Sequence, residues 1–492
     1  MSAQPATPCS FATWSRRALH HLNSDPDAPT IVSITPEGIE DWSRAQLAAR
    51  TAGASEFLDA HGVNVGEVVP ALLTSRPASV ALMIAGALSK RPLAPLGPRL
   101  TSRELVACLE LIDGPALVTE PQWTELATEV AAVSGKRLAV FEEPRPSTAM
   151  LRADGRADDV AFVVHTSGTT GLPKQVLVHE GRLARRAEVL GALCKLDQDT
   201  RLVTAALFHH VAGIGQVAAT LAHGGAVVMV PSFSVDAWRS VTAMEPTHAV
   251  LMPSAIEMLL SEHALRVPSL RVAAYGTAPI HPDTVRRMQQ VMPEVDLINL
   301  FGQTEGTPLT VLTPEDHRRA AAGHEELLSS VGQAGPGVEL LIHDADADGL
   351  GEVWARSAHS FVVDENGWQH TGDMGRLVNG YLYLAGRRGD KIIRGGENVL
   401  PLEVEQILET HPGVVAAGVA GKPDRRLGET VVAFVVPANP AAPPNTEDLR
   451  AYCRDRLAGF KVPVEWTFTE ALPRNPMGKL LRRELARWVA ES

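Results

Sequence analysis

Short apolar runs alternate with stretches of helical periodicity as far as residue 385. Segments 68–74, 116–119, 159–165, 201–206 and 225–230 read as buried strands, whereas 77–88, 180–195 and 236–244 read as helices. Strands alternating with helices predict a layered α/β architecture. Past the turn-rich segment 344–351, residues 352–355, 367–370 and 381–384 read as short hairpin strands. A second unit opens near Gly389, with a strand at 392–394 and a helix at 401–411 that carries Val404, Ile407 and Leu408 on one face. Strands at 414–421 and 430–436, a helix at 446–457 and a last amphipathic helix at 480–489 follow. The Pro-, Ala- and Asn-rich run 437–445 is read as a surface loop, because patterned sequence continues on both sides. The expected organisation is a large domain over 1–387 and a small one over 388–492.

The 492 residues are 45% hydrophobic and 21% charged, the composition of a chain with a large core. A formal charge of −12 excludes general binding to nucleic acid or anionic membranes, which need a basic face. Cys9, Cys108, Cys194 and Cys453 lie far apart, so neither a zinc knuckle nor a disulfide framework is expected, and a reducing, cytoplasmic setting fits. The first residues, with Trp14, Arg16, Arg17 and Asp25, lack the apolar run of a signal peptide. Segment 202–235 has no charged residue, but His209, His210, His223, several glycines and Pro231 interrupt it. It is read as a buried strand–helix–strand unit, with no membrane insertion.

Directly after the apolar run at 160–165 stands Thr166-Ser167-Gly168-Thr169-Thr170-Gly171-Leu172-Pro173-Lys174. Its hydroxyls, close-approaching glycine backbone and lysine suit a polyphosphate, although the spacing is not that of a Walker loop. The string resembles the phosphate loop of the adenylate-forming superfamily: acyl-CoA synthetases, peptide-synthetase adenylation domains and firefly-type luciferases. Further strings resemble that family's motifs in order. They are Gly276-Thr277-Ala278-Pro279 (adenine segment), Asn299-Leu300-Phe301-Gly302-Gln303-Thr304-Glu305 (aromatic-Gly-x-Thr-Glu motif) and Thr371-Gly372-Asp373 (ribose motif). Gly386-Arg387 followed by 392–398 matches the hinge region, and Pro476-Met477-Gly478-Lys479 the C-terminal lysine loop.

The resemblance implies a large N-terminal domain of several layered α/β sheets with a small β-barrel-like part, and a small, mobile α+β C-terminal domain. It implies that Asp373 and Arg387 contact ribose, that Thr304 contacts the α-phosphate, and that Glu305 ligates Mg²⁺, a hard cation that takes carboxylate oxygen. Phe301 offers an aromatic face for adenine where the family often has tyrosine. Lys479 would bridge the substrate carboxylate and the α-phosphate. His209 and His210, in Leu207-Phe208-His209-His210-Val211-Ala212-Gly213, match an aromatic-His motif that gates the acyl pocket, and the doublet leaves open which of the two gates it. Two departures stand out: Gly389 replaces the usual Asp or Lys of the hinge, and Gln175 replaces a glycine and is expected to crowd the phosphate loop.

The string Ile392-Ile393-Arg394-Gly395-Gly396-Glu397-Asn398 is closest to acyl-CoA ligases, where Gly395 and Gly396 would line the pantetheine tunnel. No carrier-protein domain follows Lys479, so a stand-alone enzyme using ATP, Mg²⁺ and CoA is expected. The pocket residues Val211, Gly213, Gly276 and Gly306, with Ala205, Ala206 and Gly215, are small or apolar, and no carboxylate stands beside His209 to pair an amino group. An aryl, alicyclic or other bulky apolar acid is the expected substrate. A relative that loads a carrier protein or runs one half-reaction, and a non-catalytic nucleotide-binding protein, are the competing readings. A homodimer is compatible with either.

Overall fold

The computed structural model describes residues 12–35, 38–167, 173–204, 206–230, 233–475 and 478–491. Two sheets build the large domain. The first has six strands in the order Arg137–Val140, Ala116–Thr119, Val69–Leu72, Leu93–Leu96, Val160–Ser167 and Pro173–His179. The first five run parallel, and the last folds back as a hairpin. Ala116–Thr119, Val69–Leu72 and Leu93–Leu96 are buried at every position, as strands covered on both faces must be. The helix Pro77–Leu88, with proline at its first turn, is buried up to Ala87.

The second sheet is thirteen strands long. Its centre is parallel: Asp296–Gln303, Val272–Gly276, His248–Leu251, Arg201–Thr204, Ala226–Met229 and Pro29–Thr35. The charge-free segment forms two neighbouring strands of this centre, joined by the helix Val211–Leu221, every residue of which is buried except Ala212. Among the described residues no helix is long and apolar enough to cross a membrane. One core cluster, including Trp14, Leu82, Phe162, Leu183 and Ile214, fills the space between the two sheets. The expected helix at 236–244 is shorter, Val235–Val241, and ends in a 3₁₀ turn at Thr242–Met244.

The hairpin strands past residue 333 correct one detail. Val338–His343, Gly351–Ser357, Gln369–Val378 and Tyr381–Arg387 form no closed barrel among the described residues; they extend the long sheet through the two-residue strand Gln333–Ala334. Gln333 pairs with Tyr381, while the far strand Val338–His343 forms the sheet's edge, with Leu341 exposed.

The small domain begins where the long sheet ends. Tyr381–Arg387 passes into a 3₁₀ turn at Arg388–Asp390 and then into Ile392–Arg394, the start of a separate five-stranded sheet. Pro401–Glu409 and Thr446–Arg454 close one face of that sheet over Val404, Leu408, Val419, Val431 and Leu449. Arg482–Glu491 covers the other face through Leu485 and Val489.

Candidate active site

The hairpin Val160–Ser167/Pro173–His179 pairs Thr166 with Lys174 and Ser167 with Pro173. Gly168, Thr169 and Thr170, with Gly171 and Leu172, lie outside the described residues, as do Ala205, Pro476 and Met477. Gln175 turns out to have an anchorage of its own: its amide donates to the Leu111 carbonyl at 2.9 Å and meets His165 Nε2 at 3.4 Å. The loop that it is expected to crowd lies outside the described residues.

The C-terminal ends of the parallel strands Val272–Gly276 and Asp296–Gln303 open onto the crevice where α/β sheets hold ligands. Here Gly276 approaches the Leu300 carbonyl too closely for a side chain, and Thr277 takes a left-handed φ of 71°. Ala278 and Pro279 follow at the surface edge, Asn299 is buried, and Phe301 and Thr304 are half-buried. Gly302 packs against Thr307, and Gly306 leaves room for Gln369 and Ser360. The Glu305 carbonyl accepts the Phe361 N–H at 2.6 Å, and its carboxylate has no hydrogen-bond partner among the described residues.

Asp373 anchors the polar end of the crevice. Strand pairing sets it opposite Arg387, whose Nε lies 2.8 Å from one carboxylate oxygen. Gln303 Nε2 donates to the other oxygen and to the Thr371 carbonyl, both at 2.6 Å. Burial raises the Asp373 pKa in spite of Arg387 and Gln303.

His209 and His210 sit at the start of the helix Val211–Leu221, their rings 4.3 Å apart. A Cβ on Gly97 would lie 2.9 Å from His209 Nε2, so that glycine makes space for the imidazole. Burial, with His210 and Arg99, pushes His209 down to about 3, and burial lowers His210 as well. Both rings are neutral at pH 7. Gly213 serves the turn, since a side chain there would strike the Leu207 carbonyl.

The lysine loop reaches this crevice from the small domain. Gly478, at φ 79°, passes so near Ser254 on the large domain that a Cβ would lie 3.1 Å from its hydroxyl oxygen. The loop is pinned by reciprocal bonds between Asn475 and Lys479 and by Arg474, which donates to the Gly478 carbonyl at 2.8 Å. Lys479 is an exposed residue whose ammonium feels the charges of this crevice: desolvation and Arg387 lower its pKa, while Asp373 and Asp390 oppose the drop. Asp373, Arg387 and Lys479 thus form one charged group drawn from both domains. Gly395 and Gly396 lie elsewhere, as the tight turn between Ile392–Arg394 and Glu397–Val399, where φ values of 62° and 88° require glycine.

The family model described as AMP-binding enzyme matches residues 19–362, and that of the AMP-binding enzyme C-terminal domain matches 403–479. The chain belongs to the AMP-binding enzyme family. A feruloyl-CoA synthase of an Amycolatopsis species is 30% identical over 465 residues, which cover 90% of this chain and 93% of that one. The fatty acid–[acyl-carrier-protein] ligase ScoC of Streptomyces coeruleorubidus is 30% identical over 499 residues, 94% of each chain. The structure of the amide bond synthetase McbA from Marinactinospora thermotolerans matches with a TM-score of 0.85 at 28% identity, over 96% of this chain and 99% of that chain. As a member of this family the chain is an adenylate-forming acid–thiol ligase.

Sequence reading missed Gln303, Gly97, Glu352 and Arg482. Gln303 was in view as the free position of the aromatic-Gly-x-Thr-Glu motif, whereas Gly97 had no local signal, since its neighbour His209 is far away in sequence.

Proposed function

We propose that this ligase activates a bulky, apolar, ring-bearing carboxylic acid as its acyl-adenylate and transfers the acyl group to CoA, with residues 1–387 and 388–492 as its two domains. The observation that carries the reading is that a loop of the small domain, seated against Ser254, sets Lys479 within electrostatic reach of the Asp373–Arg387 pair. The 30% identity to a feruloyl-CoA synthase supports an aryl acid, and the neutral imidazoles of His209 and His210 support an uncharged acyl body.

In the first half-reaction a carboxylate oxygen of the acid attacks the α-phosphorus of ATP, and the bond to pyrophosphate breaks. Asp373 and Arg387 hold the ribose hydroxyls. Phe301, with Gly276–Pro279 opposite, supports the adenine, and Asn299 orders the strand beneath. Thr166, Ser167, Gly168, Thr169, Thr170 and Lys174 supply phosphate donors, while Thr304 donates to the α-phosphate. The unpartnered carboxylate of Glu305 fits a hard cation, and Mg²⁺ bound there supplies charge neutralisation for the phosphates. Lys479 stabilises the negative charge that grows on the transferring group.

In the second half-reaction the CoA sulfur attacks the acyl carbon, and the bond to AMP breaks. The lysine loop must vacate the site for the thiol, and the small domain turns about Gly389 to allow it. In the arrangement described, Gly389 has no positive φ and no atom within 4 Å of where a Cβ would stand. Glycine is not needed here, which supports a need for it in a second arrangement. Gly395 and Gly396 then offer slim backbone to the pantetheine arm. The identity to ScoC favours one alternative acceptor, the phosphopantetheine of a carrier protein.

The deciding experiment is a panel of carboxylic acids assayed for acid-dependent pyrophosphate exchange, followed by CoA and a phosphopantetheinylated carrier offered side by side. Aryl or alicyclic turnover with CoA is expected. Preference for short acids, or for the carrier, would overturn the substrate or the acceptor assignment respectively.

A further inference from the structure

Two ion pairs flank Gly389, one facing each domain. On the large-domain side, Arg388 Nη1 lies 2.9 Å from one oxygen of Glu352. The other Glu352 oxygen accepts the N–H of Gly372 at 3.1 Å, and Gly372 precedes Asp373 in the ribose loop. On the small-domain side, Arg482 Nε lies 3.2 Å from Asp390, and its Nη1 and Nη2 fork onto Glu405 at 2.5 and 2.8 Å. Nη1 also donates to the Val419 carbonyl at 3.2 Å, and the Val419 N–H donates to Glu405 at 2.7 Å. Arg482 opens the last helix, three residues beyond Lys479. Both central acids are shielded, with 11% of the Glu352 and 5% of the Glu405 side chain exposed. The Arg482–Glu405 fork, with several hydrogen bonds, holds geometry better than an exposed single pair does, while Arg388, 68% exposed, meets its shielded acid through one hydrogen bond.

We infer that Arg388 and Arg482 are positioning residues of a strut that sets the ribose loop and the lysine loop at a fixed separation. Its path runs Asp373–Gly372–Glu352–Arg388, through Gly389, to Asp390–Arg482 and on to Lys479. The three central residues form a 3₁₀ turn, so the two ion pairs are joined by short backbone. Either pair alone would steady one loop locally. Joined, they make the position of Lys479 depend on Glu352 and the position of Asp373 depend on Arg482. This rests on the adenylation reading above only in its consequence for turnover; the mechanical coupling stands apart from it.

The test uses the full-length enzyme with ATP alone as ligand and follows amide hydrogen exchange at 371–373 and 475–481. Arg388→Gln is expected to quicken exchange at 475–481, and Arg482→Gln at 371–373, each by about threefold or more across the boundary. Asp390→Asn, which leaves the Glu405 fork intact, guards against misfolding and is expected to reproduce the Arg482 effect at 371–373. Effects confined to the loop nearest each substitution would overturn the strut. With an acid that the panel identifies, each single variant is expected to lose about fivefold to tenfold in pyrophosphate exchange, and the Arg388→Gln/Arg482→Gln double variant no more than the worse single. Conversion of supplied acyl-adenylate should stay within about twofold, a split that general destabilisation does not produce. Additive losses would make the pairs independent. A wild type inactive on every acid would overturn the proposed function, while the exchange measurement would still decide the strut.

Discussion

The two faces of the crevice are built in opposite ways. The large-domain face is shielded and multiply bonded: Asp373 is held on both oxygens, Gln303 bonds two partners, and His209 fits a space that Gly97 leaves. The small-domain face is one loop, half-exposed, fastened by Asn475 and Arg474 and touching the large domain at Ser254. Groups that bind substrate in every step belong in a preformed frame, whereas a group needed in one step is best carried on something that can withdraw. The comparison predicts that substitutions on the first face change binding in both half-reactions, and that those on the second separate the half-reactions.

The largest effect is expected at Lys479. Lys479→Ala should cut acid-dependent pyrophosphate exchange by at least about a hundredfold, or ~2.7 kcal/mol of transition-state stabilisation, and leave thioester formation from supplied acyl-adenylate nearly intact. Equal loss in both assays would erase the contrast between the faces.

Asp373→Asn should raise the KM for ATP about tenfold, ~1.4 kcal/mol, by weakening the ribose contact. It carries a pH signature too. Burial and Arg387 already hold Lys479 below its ordinary value, and Asp373 works against them. Removing that negative charge lowers the lysine further, so the alkaline limb of adenylation should move to lower pH. An unmoved limb would separate Asp373 from Lys479.

Gly97→Ala should raise the KM for the acid by about threefold to tenfold and leave that for ATP unchanged, because the new methyl would displace the His209 ring. Steady-state kinetics with each substrate varied would expose a parallel rise in both, which would place Gly97 outside the acyl pocket.

The smallest effect tests the frame away from the chemistry. Glu180 is wholly buried: one oxygen accepts the Ser15 N–H at 2.9 Å, and the other has no partner. Burial pushes its pKa up from 4.5 to about 7 against that hydrogen bond. The folded protein therefore binds more protons than the unfolded chain between these values, and stability falls as pH rises through the window. Glu180→Gln should flatten that decline, narrowing the Tm difference between pH 5 and pH 8 by about 2–5 °C. An unchanged slope would mean that Glu180 is ionised throughout.

Much of this could be read from the chain before folding. Ala116–Thr119, Pro77–Leu88 and Ile392–Arg394 have the bounds that their apolar runs suggested, because each run ends at a turn or capping residue. Leu93–Leu96 and Arg137–Val140 escaped notice, since four residues with prolines or charges nearby carry too little period to read. The motif residues Asp373, Arg387 and Lys479 were in view as separate strings, and only the fold reveals their shared electrostatics. Gly395 and Gly396 show the converse. Their glycines are explained by a local turn, so chemistry is not required to account for them. Glu352 and Arg482 were illegible because a long-range ion pair leaves no spacing in the sequence.

Gly389 also has a meaning for anyone selecting variants of this enzyme. A side chain built at that position meets open space, so a library saturated there should pass a screen for soluble, folded protein almost without loss. The same library sorted by completed turnover should thin sharply. A position silent in the first sort and loud in the second would escape stability-guided engineering altogether, and the ratio of survivors in the two sorts would rank residues by how freely they let the two domains exchange partners.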